Sequence, residues 1–291
     1  MTTFLENPVL SGVAADKARS WLLVPASKPE LFTPAAESAV DAVILDIEDA
    51  VAPAAKPAAR EAVVAWLRAG GRAWVRINDA TTPYWADDLD ALRGIDTLEG
   101  VMLAKTESGS QVEATADRLA GRPDAGRDGQ DGCRIVALVE SAMGLEAAPE
   151  IARAEATFRL AFGSGDFRRD TGMSDDPMAM AYPRARLVVS SRAARLPGPI
   201  DGPTLAVNDS MLSRDSQLTV SMGMTGKLCM HSDQGPIVNR ELAPSAADVA
   251  WAREVIAQLG EDGSGVRDGS DLPRLAKAKK ITAQAAVFSI G

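Results

Sequence analysis

Short apolar runs recur along the chain, each closing on polar residues, with segments of helical spacing between them. The runs are Ser20–Pro25, Ala42–Ile47, Ala73–Ile77, Val101–Ala104, Ile135–Val139, a run through Leu160 and Phe162, Pro203–Val207 and Gly226–Met230. Helical spacing is read over about Glu30–Val40, Lys56–Ala69 (closed by Gly70-Gly71), Asp87–Leu92, Gln111–Leu119, Met143–Ala154, Arg184–Arg195 and about Ser213–Met222. Apolar runs without strict alternation fit parallel strands buried on both faces, and a paired glycine is a common helix stop. Eight such strand-then-helix units before residue 245 predict an α/β fold, a (β/α)₈ barrel.

Two stretches hold neither periodicity: 121–132 reads as a solvated surface loop, and 167–183, rich in Met, Gly and Pro, as a long loop over the strand ends. The expected organisation is an N-terminal arm over 1–18, a barrel over 19–245 and a C-terminal helical segment or lid over 246–291. That last segment comprises a helix over Ala246–Leu259, a Gly/Asp loop and a basic helix from Pro273 onward. It holds too little apolar surface for a core of its own, so it is expected to pack on a barrel, its own or a neighbour's.

Composition narrows the function classes. A chain of 291 residues, 46% hydrophobic and 24% charged, with net charge −9, argues against nucleic acid or an anionic membrane as partner. Two cysteines, Cys133 and Cys229, make no disulfide framework and read as inert thiols beside buried strands. The N-terminus has neither a basic start nor an apolar core, and no apolar run approaches the ~20 residues that span a bilayer, so a cytoplasmic protein is expected. There is no Gly-rich phosphate loop and no internal repeat.

The chemistry concentrates where apolar runs end. Residues 134–166 form one strand–helix–strand unit whose two strands close on Glu140 and Asp166. Both acids are expected at the carboxyl ends of neighbouring strands, where α/β enzymes build their sites. Two carboxylates converging there suit Mg²⁺, a hard cation that takes oxygen ligands and keeps several waters. A helix-capping role for Glu140 and a turn role for Asp166 stand as the alternatives.

Arg76 lies on a strand that should be buried and therefore needs a partner, either Asp46 or Glu48 from the next strand or an anionic substrate. Lys105, followed by Glu107, could be a Schiff-base nucleophile, but its acid-rich surroundings favour pairing with Glu48 or Asp46. His231, the single histidine, assembles no Ser-His-Asp or Cys-His set. Arg184, Arg186, Arg192 and Arg195 lie at helical spacing, as on a solvated helix face.

The strings L-L-V-P-A-S-K-P-E, V-I-L-D-I-E-D-A-V, V-R-I-N, V-M-L-A-K-T-E-S, A-L-V-E-S-A-M-G and F-G-S-G-D occur in order between Leu22 and Asp166, within a resemblance that covers roughly residues 20–280. Together they resemble the HpcH/HpaI aldolase superfamily in its citrate-lyase beta-subunit-like, CoA-ester-lyase branch. The resemblance implies a (β/α)₈ barrel that binds Mg²⁺ (with Mn²⁺ as a substitute) through Glu140 and Asp166. It implies substrate contact by Arg76, with Glu140 and Lys28 also at the substrate, and supporting places for Asp46, Glu48, Lys105 and Glu107. The expected reaction makes or breaks a carbon–carbon bond beside a CoA thioester, with an α-keto acid such as glyoxylate or pyruvate as partner. A CoA-free aldolase, a thioesterase, or a non-catalytic subunit of a citrate-lyase-like complex is the alternative. By the same resemblance Asp271, in D-G-S-D-L-P, is an acid/base supplied by an adjacent subunit of a homotrimer or homohexamer. The chain departs from the family pattern at Ala104 and Ser232, where prolines are usual, at the A-S-K turn around Lys28, and at Asn208, where an acid is usual.

Overall fold

A computed structural model describes residues 12–120, 133–205 and 208–290. The described residues divide into two compact units, one ending at Asn239 and one beginning at Arg240.

The first unit is a closed barrel of eight parallel strands in sequence order: β1 (Ser20–Pro25), β2 (Ala42–Asp46), β3 (Ala73–Ile77), β4 (Leu98–Leu103), β5 (Ile135–Val139), β6 (Thr157–Phe162), β7 (Ile200–Asp201) and β8 (Gly226–Cys229). Around it run α1 (Phe32–Ala36), α2 (Lys56–Arg68), α3 (Pro83–Leu92), α4 (Gly109–Ala120), α5 (Ala142–Glu146), α6 (Ala148–Arg153), α7 (Ser164–Thr171), α8 (Ala181–Ala193), α9 (Asp209–Ser221) and α10 (Gln234–Glu241), the last running into the second unit.

Period-two alternation sorts the strand residues. Trp21, Leu23, Ala42, Ile44, Trp74, Met102, Val136, Leu138, Ala161, Ile200 and Leu228 share one buried cluster, the packed barrel interior. Continuing the inward rows by two residues past Ile44, Trp74 and Leu138 brings Asp46, Arg76 and Glu140 to the carboxyl end of the barrel. The amino end is closed by Arg159. Its buried guanidinium donates to the carbonyls of Ala15, Ala18 and Gly198 and to Thr225 Oγ1, and lies over the Trp21 ring. Within the N-terminal arm, Ala15 and Ala18 are thereby tied to the barrel; residues 1–11 lie outside the described residues. Burial lowers the Arg159 pKa to about 9, since no carboxylate accompanies it at salt-bridge distance among the described residues.

Several boundaries differ from the sequence reading. The seventh strand is Ile200–Asp201, not Pro203–Val207, of which residues 206–207 lie outside the described residues. A two-residue strand leaves no periodic signature, whereas Pro203 and Leu205 after it lie in neither strand nor helix. The expected helix Met143–Ala154 is two helices meeting at Ala147, with Pro149 in the first turn of the second, where its missing N–H costs nothing. The stretch 167–183 is not all loop: α7 occupies Ser164–Thr171 and ends at Gly172 in a left-handed cap. The surface loop expected over 121–132 lies outside the described residues.

The second unit holds α11 (Ala246–Leu259) and α12 (Asp271–Val287). Ser245 opens α11 with a capping box completed by Asp248. The two helices share a small apolar core of Val249, Ala252, Val255, Leu259, Leu275, Ala278, Ile281 and Ala285. Among the described residues no helix is long and apolar enough to cross a membrane.

Candidate active site

Each acid or base at the carboxyl end of the barrel is placed by the strand that precedes it. Asp46 and Arg76 are register partners on β2 and β3. Arg76 Nε and Nη2 donate to the two Asp46 carboxylate oxygens at 2.8 and 2.6 Å, and Nη1 lies 3.4 Å from Glu48. Burial works against the guanidinium charge, but Asp46 and Glu48 outweigh it and hold its pKa above the ordinary value.

Glu140 follows β5 and is buried. The neighbouring chain there is Gly163, whose N–H donates to Val139 O at 2.9 Å. A Cβ on Gly163 would stand 2.4 Å from Glu140 Oε2 and 2.5 Å from its Cβ, so only glycine leaves room for this carboxylate. Lys105 N–H donates to Glu140 Oε1 at 2.8 Å. Burial pushes the Glu140 carboxyl up to about 8 despite Arg76 nearby.

Asp166 lies in the first turn of α7, half-buried, with Arg169 Nη1 at 3.1 Å and Lys105 Nζ at 4.0 Å. Asp170, one turn on, accepts Ala142 N–H at 2.8 Å and so ties α7 to the segment that follows Glu140. Lys105 Nζ pairs with Glu48 and lies 3.4 Å from Asp49. Burial opposes its charge, but the Glu48 carboxylate lifts the ammonium to about 12. That favours the ion-pair reading over a Schiff-base nucleophile, which needs a neutral amine.

Glu107 accepts Ser141 Oγ at 2.5 Å, bracing the loops after β4 and β5. Lys28 is exposed in the turn after β1. His231 is exposed. Of the four arginines on the expected helix face, Arg184 instead bonds buried Asp201 at 2.9 Å. Asn208 caps α9, its Oδ1 accepting Ser210 N–H at 2.9 Å. Cys133 and Cys229 are free thiols that burial pushes up to about 12, so they are inert.

Asp271 opens α12 in the second unit, where its buried carboxylate accepts Arg267 N–H at 3.1 Å and meets Arg274 Nη1 at 3.1 Å. The Arg267 main-chain N–H lowers its pKa, the Arg267 side chain adding to this.

Two contributors escaped the sequence reading. Buried Lys56 donates its ammonium to Ile47 O, Glu48 O and Asn78 Oδ1 at 2.9, 2.8 and 2.6 Å, which fixes the backbone carrying Glu48. Asp88 holds Asn78 in turn, accepting its Nδ2–H at 2.6 Å. The sequence signal for Lys56 was a lysine on the apolar face of an amphipathic helix, where a charge needs a reason.

Among the described residues no three His, Cys, Asp or Glu side chains gather to enclose a metal. Glu140 and Asp166 are the two carboxylates that could hold a metal here, and they repel each other electrostatically. Two carboxylates that leave coordination positions for water and substrate fit Mg²⁺, and not a closed zinc site of nitrogen and sulfur ligands. The buried Glu140 carboxyl, raised by desolvation, gains a compensating charge from such a cation.

The chain is similar to known proteins of one family. The family described as HpcH/HpaI aldolase/citrate lyase matches residues 19–232, and its C-terminal domain matches 247–289. A citrate lyase subunit beta-like protein of Mycobacterium tuberculosis is 35% identical over 277 residues, covering 91% of this chain and 94% of that protein. An L-malyl-CoA/beta-methylmalyl-CoA lyase of Rhodobacter capsulatus is 30% identical over 274 residues, covering 83% and 84%. Among solved structures, M. tuberculosis CitE in complex with magnesium, acetoacetate and coenzyme A superposes with a TM-score of 0.77 at 32% identity, covering 93% of this chain and 99% of that one. A second, the citrate lyase beta subunit complexed with oxaloacetate and magnesium from the same organism, has a TM-score of 0.67 at 33% identity, covering 79% and 99%.

Proposed function

The chain belongs to the HpcH/HpaI aldolase/citrate lyase family and is an enzyme of lyase type, and from that premise we propose that it is a Mg²⁺-dependent carbon–carbon lyase acting on a 3-hydroxyacyl-CoA thioester. The products are an acyl-CoA and an α-keto acid such as glyoxylate or pyruvate, and the reaction runs in either direction. The observation that carries the reading is the meeting of Glu140, Asp166 and Arg76 at the carboxyl end of one barrel. Similarity to the malyl-CoA lyase and to CitE holding magnesium and coenzyme A supports it.

Glu140 and Asp166 would hold Mg²⁺, which would supply Lewis acidity and a template for the keto-acid end of the substrate. Cleavage removes the hydroxyl proton and breaks the bond between the carbinol carbon and the carbon next to the thioester. The hydroxyl oxygen becomes the keto-acid carbonyl, the bonding pair passes into a thioester enolate, and a proton is delivered to the enolate carbon. Arg76, kept charged by Asp46 and Glu48, stabilises negative charge on oxygen. Lys105, Glu107, Asp46 and Glu48 support these groups, and Lys28, exposed in the turn after β1, is assigned to substrate binding. Asp271 is the proposed acid/base, delivered by the C-terminal unit of a neighbouring chain in a homotrimer or homohexamer. Arg267 and Arg274 must loosen their hold on it for that role. The proposed setting is the cytoplasm.

The test is a panel of malyl-CoA, citramalyl-CoA and citryl-CoA, assayed with Mg²⁺ for keto-acid release by the purified chain. Release from at least one ester is expected. Cleavage of only free hydroxy-keto acids identifies a CoA-free aldolase, and no turnover of either class identifies an accessory subunit.

A further inference from the structure

Among the described residues three that are not glycine have a positive φ: Lys105 at 48°, Arg195 at 61° and Ser289 at 54°. Arg195 and Ser289 follow α8 and α12, and a left-handed residue after a helix is ordinary capping. Lys105 has no such reason. It follows β4 at the carboxyl end of the barrel, and an L-residue held left-handed is strained, with function as its usual cause.

The strain has a local purpose. Thr106 N–H returns to the sheet, donating to Leu138 O at 3.0 Å. Lys105 is the residue that steps out, and its N–H goes to the Glu140 side chain instead. The same turn sends its ammonium the other way, to Glu48, within 3.4 Å of Asp49 and 4.0 Å of Asp166. One residue thus holds acids that follow three different strands. Glycine or asparagine would adopt the turn at less strain but could not supply the charge.

We propose that Lys105 is a positioning residue whose main-chain N–H, presented by a left-handed backbone, fixes the orientation in which Glu140 meets a cation. The ammonium is a separate, second function of the same residue. This rests on the reading of Glu140 as a metal ligand. The backbone role implies that side-chain loss and backbone release have separable effects, since Lys105→Gly and Lys105→Ala both delete the ammonium but only alanine retains the strain.

The experiment measures Mg²⁺ affinity of the full chain by calorimetry for Lys105→Gly, Lys105→Asn, Lys105→Ala and Glu140→Gln. It adds amide exchange at residue 105 in the metal-free parent chain and in Glu140→Ala. Lys105→Gly and Lys105→Asn should agree, while Lys105→Ala, freed to leave the left-handed region, should bind about tenfold more weakly than Lys105→Gly. The residue-105 amide should be protected in the parent chain and exposed in Glu140→Ala, which removes the oxygen that accepts it. Equal affinities for Lys105→Ala and Lys105→Gly overturn the proposal, because the backbone then does not matter. If Glu140→Gln binds Mg²⁺ like the parent, the metal reading fails. The clamp then stands or falls on the amide, and protection unchanged by Glu140→Ala overturns it.

Discussion

Asp46 and Arg76 face each other across β2 and β3, and two hydrogen bonds of 2.8 and 2.6 Å join carboxylate to guanidinium. The pair is nearly buried, so neither charge is solvated by water and each depends on the other. The planar fork of the guanidinium is what engages both carboxylate oxygens while Nη1 remains directed toward Glu48.

Replacing Arg76 by Lys keeps a charge but loses the fork. Activity in the keto-acid assay should fall by about 10²–10³-fold, the size of effect seen when one transition-state donor is removed. Arg76→Met should also lower the melting temperature, because it strands the buried Asp46 carboxylate. Arg76→Lys with near-parental kcat/KM would reduce the arginine to a structural ion-pair partner.

Gly163→Ala places a methyl group 2.4 Å from Glu140 Oε2, a distance that forces the carboxylate aside. Mg²⁺ affinity should drop by about 10–100-fold, as when a neighbour that orients a ligand is altered. The far-UV spectrum should be unchanged. Calorimetry with Mg²⁺ checks this, and a parental affinity would mean that Glu140 is not where the cation sits.

Metal and pH are linked through the same residue. Glu140 titrates near 8 in the metal-free fold against an ordinary value of 4.5, so the fold binds its proton more tightly than the unfolded chain does. Its contribution to metal-free stability is therefore fully present below about 4.5 and is lost as pH rises toward 8. Mg²⁺ needs the carboxylate, so the rise in melting temperature on adding Mg²⁺ should grow from pH 6 to pH 8.5. Thermal scans with Mg²⁺ or EDTA at both pH values measure it, and Glu140→Gln should erase the pH dependence. EDTA should abolish turnover, and Mg²⁺ or Mn²⁺ should restore it.

Asp271 supplies a test of subunit sharing. Mixing an Asp271→Ala chain with an Arg76→Ala chain, each nearly inactive alone, should restore activity once subunits exchange, since some sites then hold both parental residues. Demonstrated exchange without recovered turnover would leave Asp271 as the helix-opening residue that Arg267 and Arg274 hold.

The barrel was legible in the chain because its strands are short and buried on both faces. Ser20–Pro25 and Ala73–Ile77 read directly as apolar runs, and Ala246–Leu259 as a helix. Strand ends carry chemistry in this fold, so Asp46, Arg76, Glu140 and Asp166 stood out by position alone. The two-residue β7 carried no periodicity and was lost among its neighbours. What only the tertiary structure decided was partnership. Lys56 is satisfied by three oxygens brought from β2 and β3, Glu140 is turned by a main-chain N–H from β4, and room for it comes from a glycine after β6. Local pattern encodes which residues are buried. Which groups they then meet is set by barrel closure, which joins segments tens of residues apart and leaves no trace in the spacing of either one.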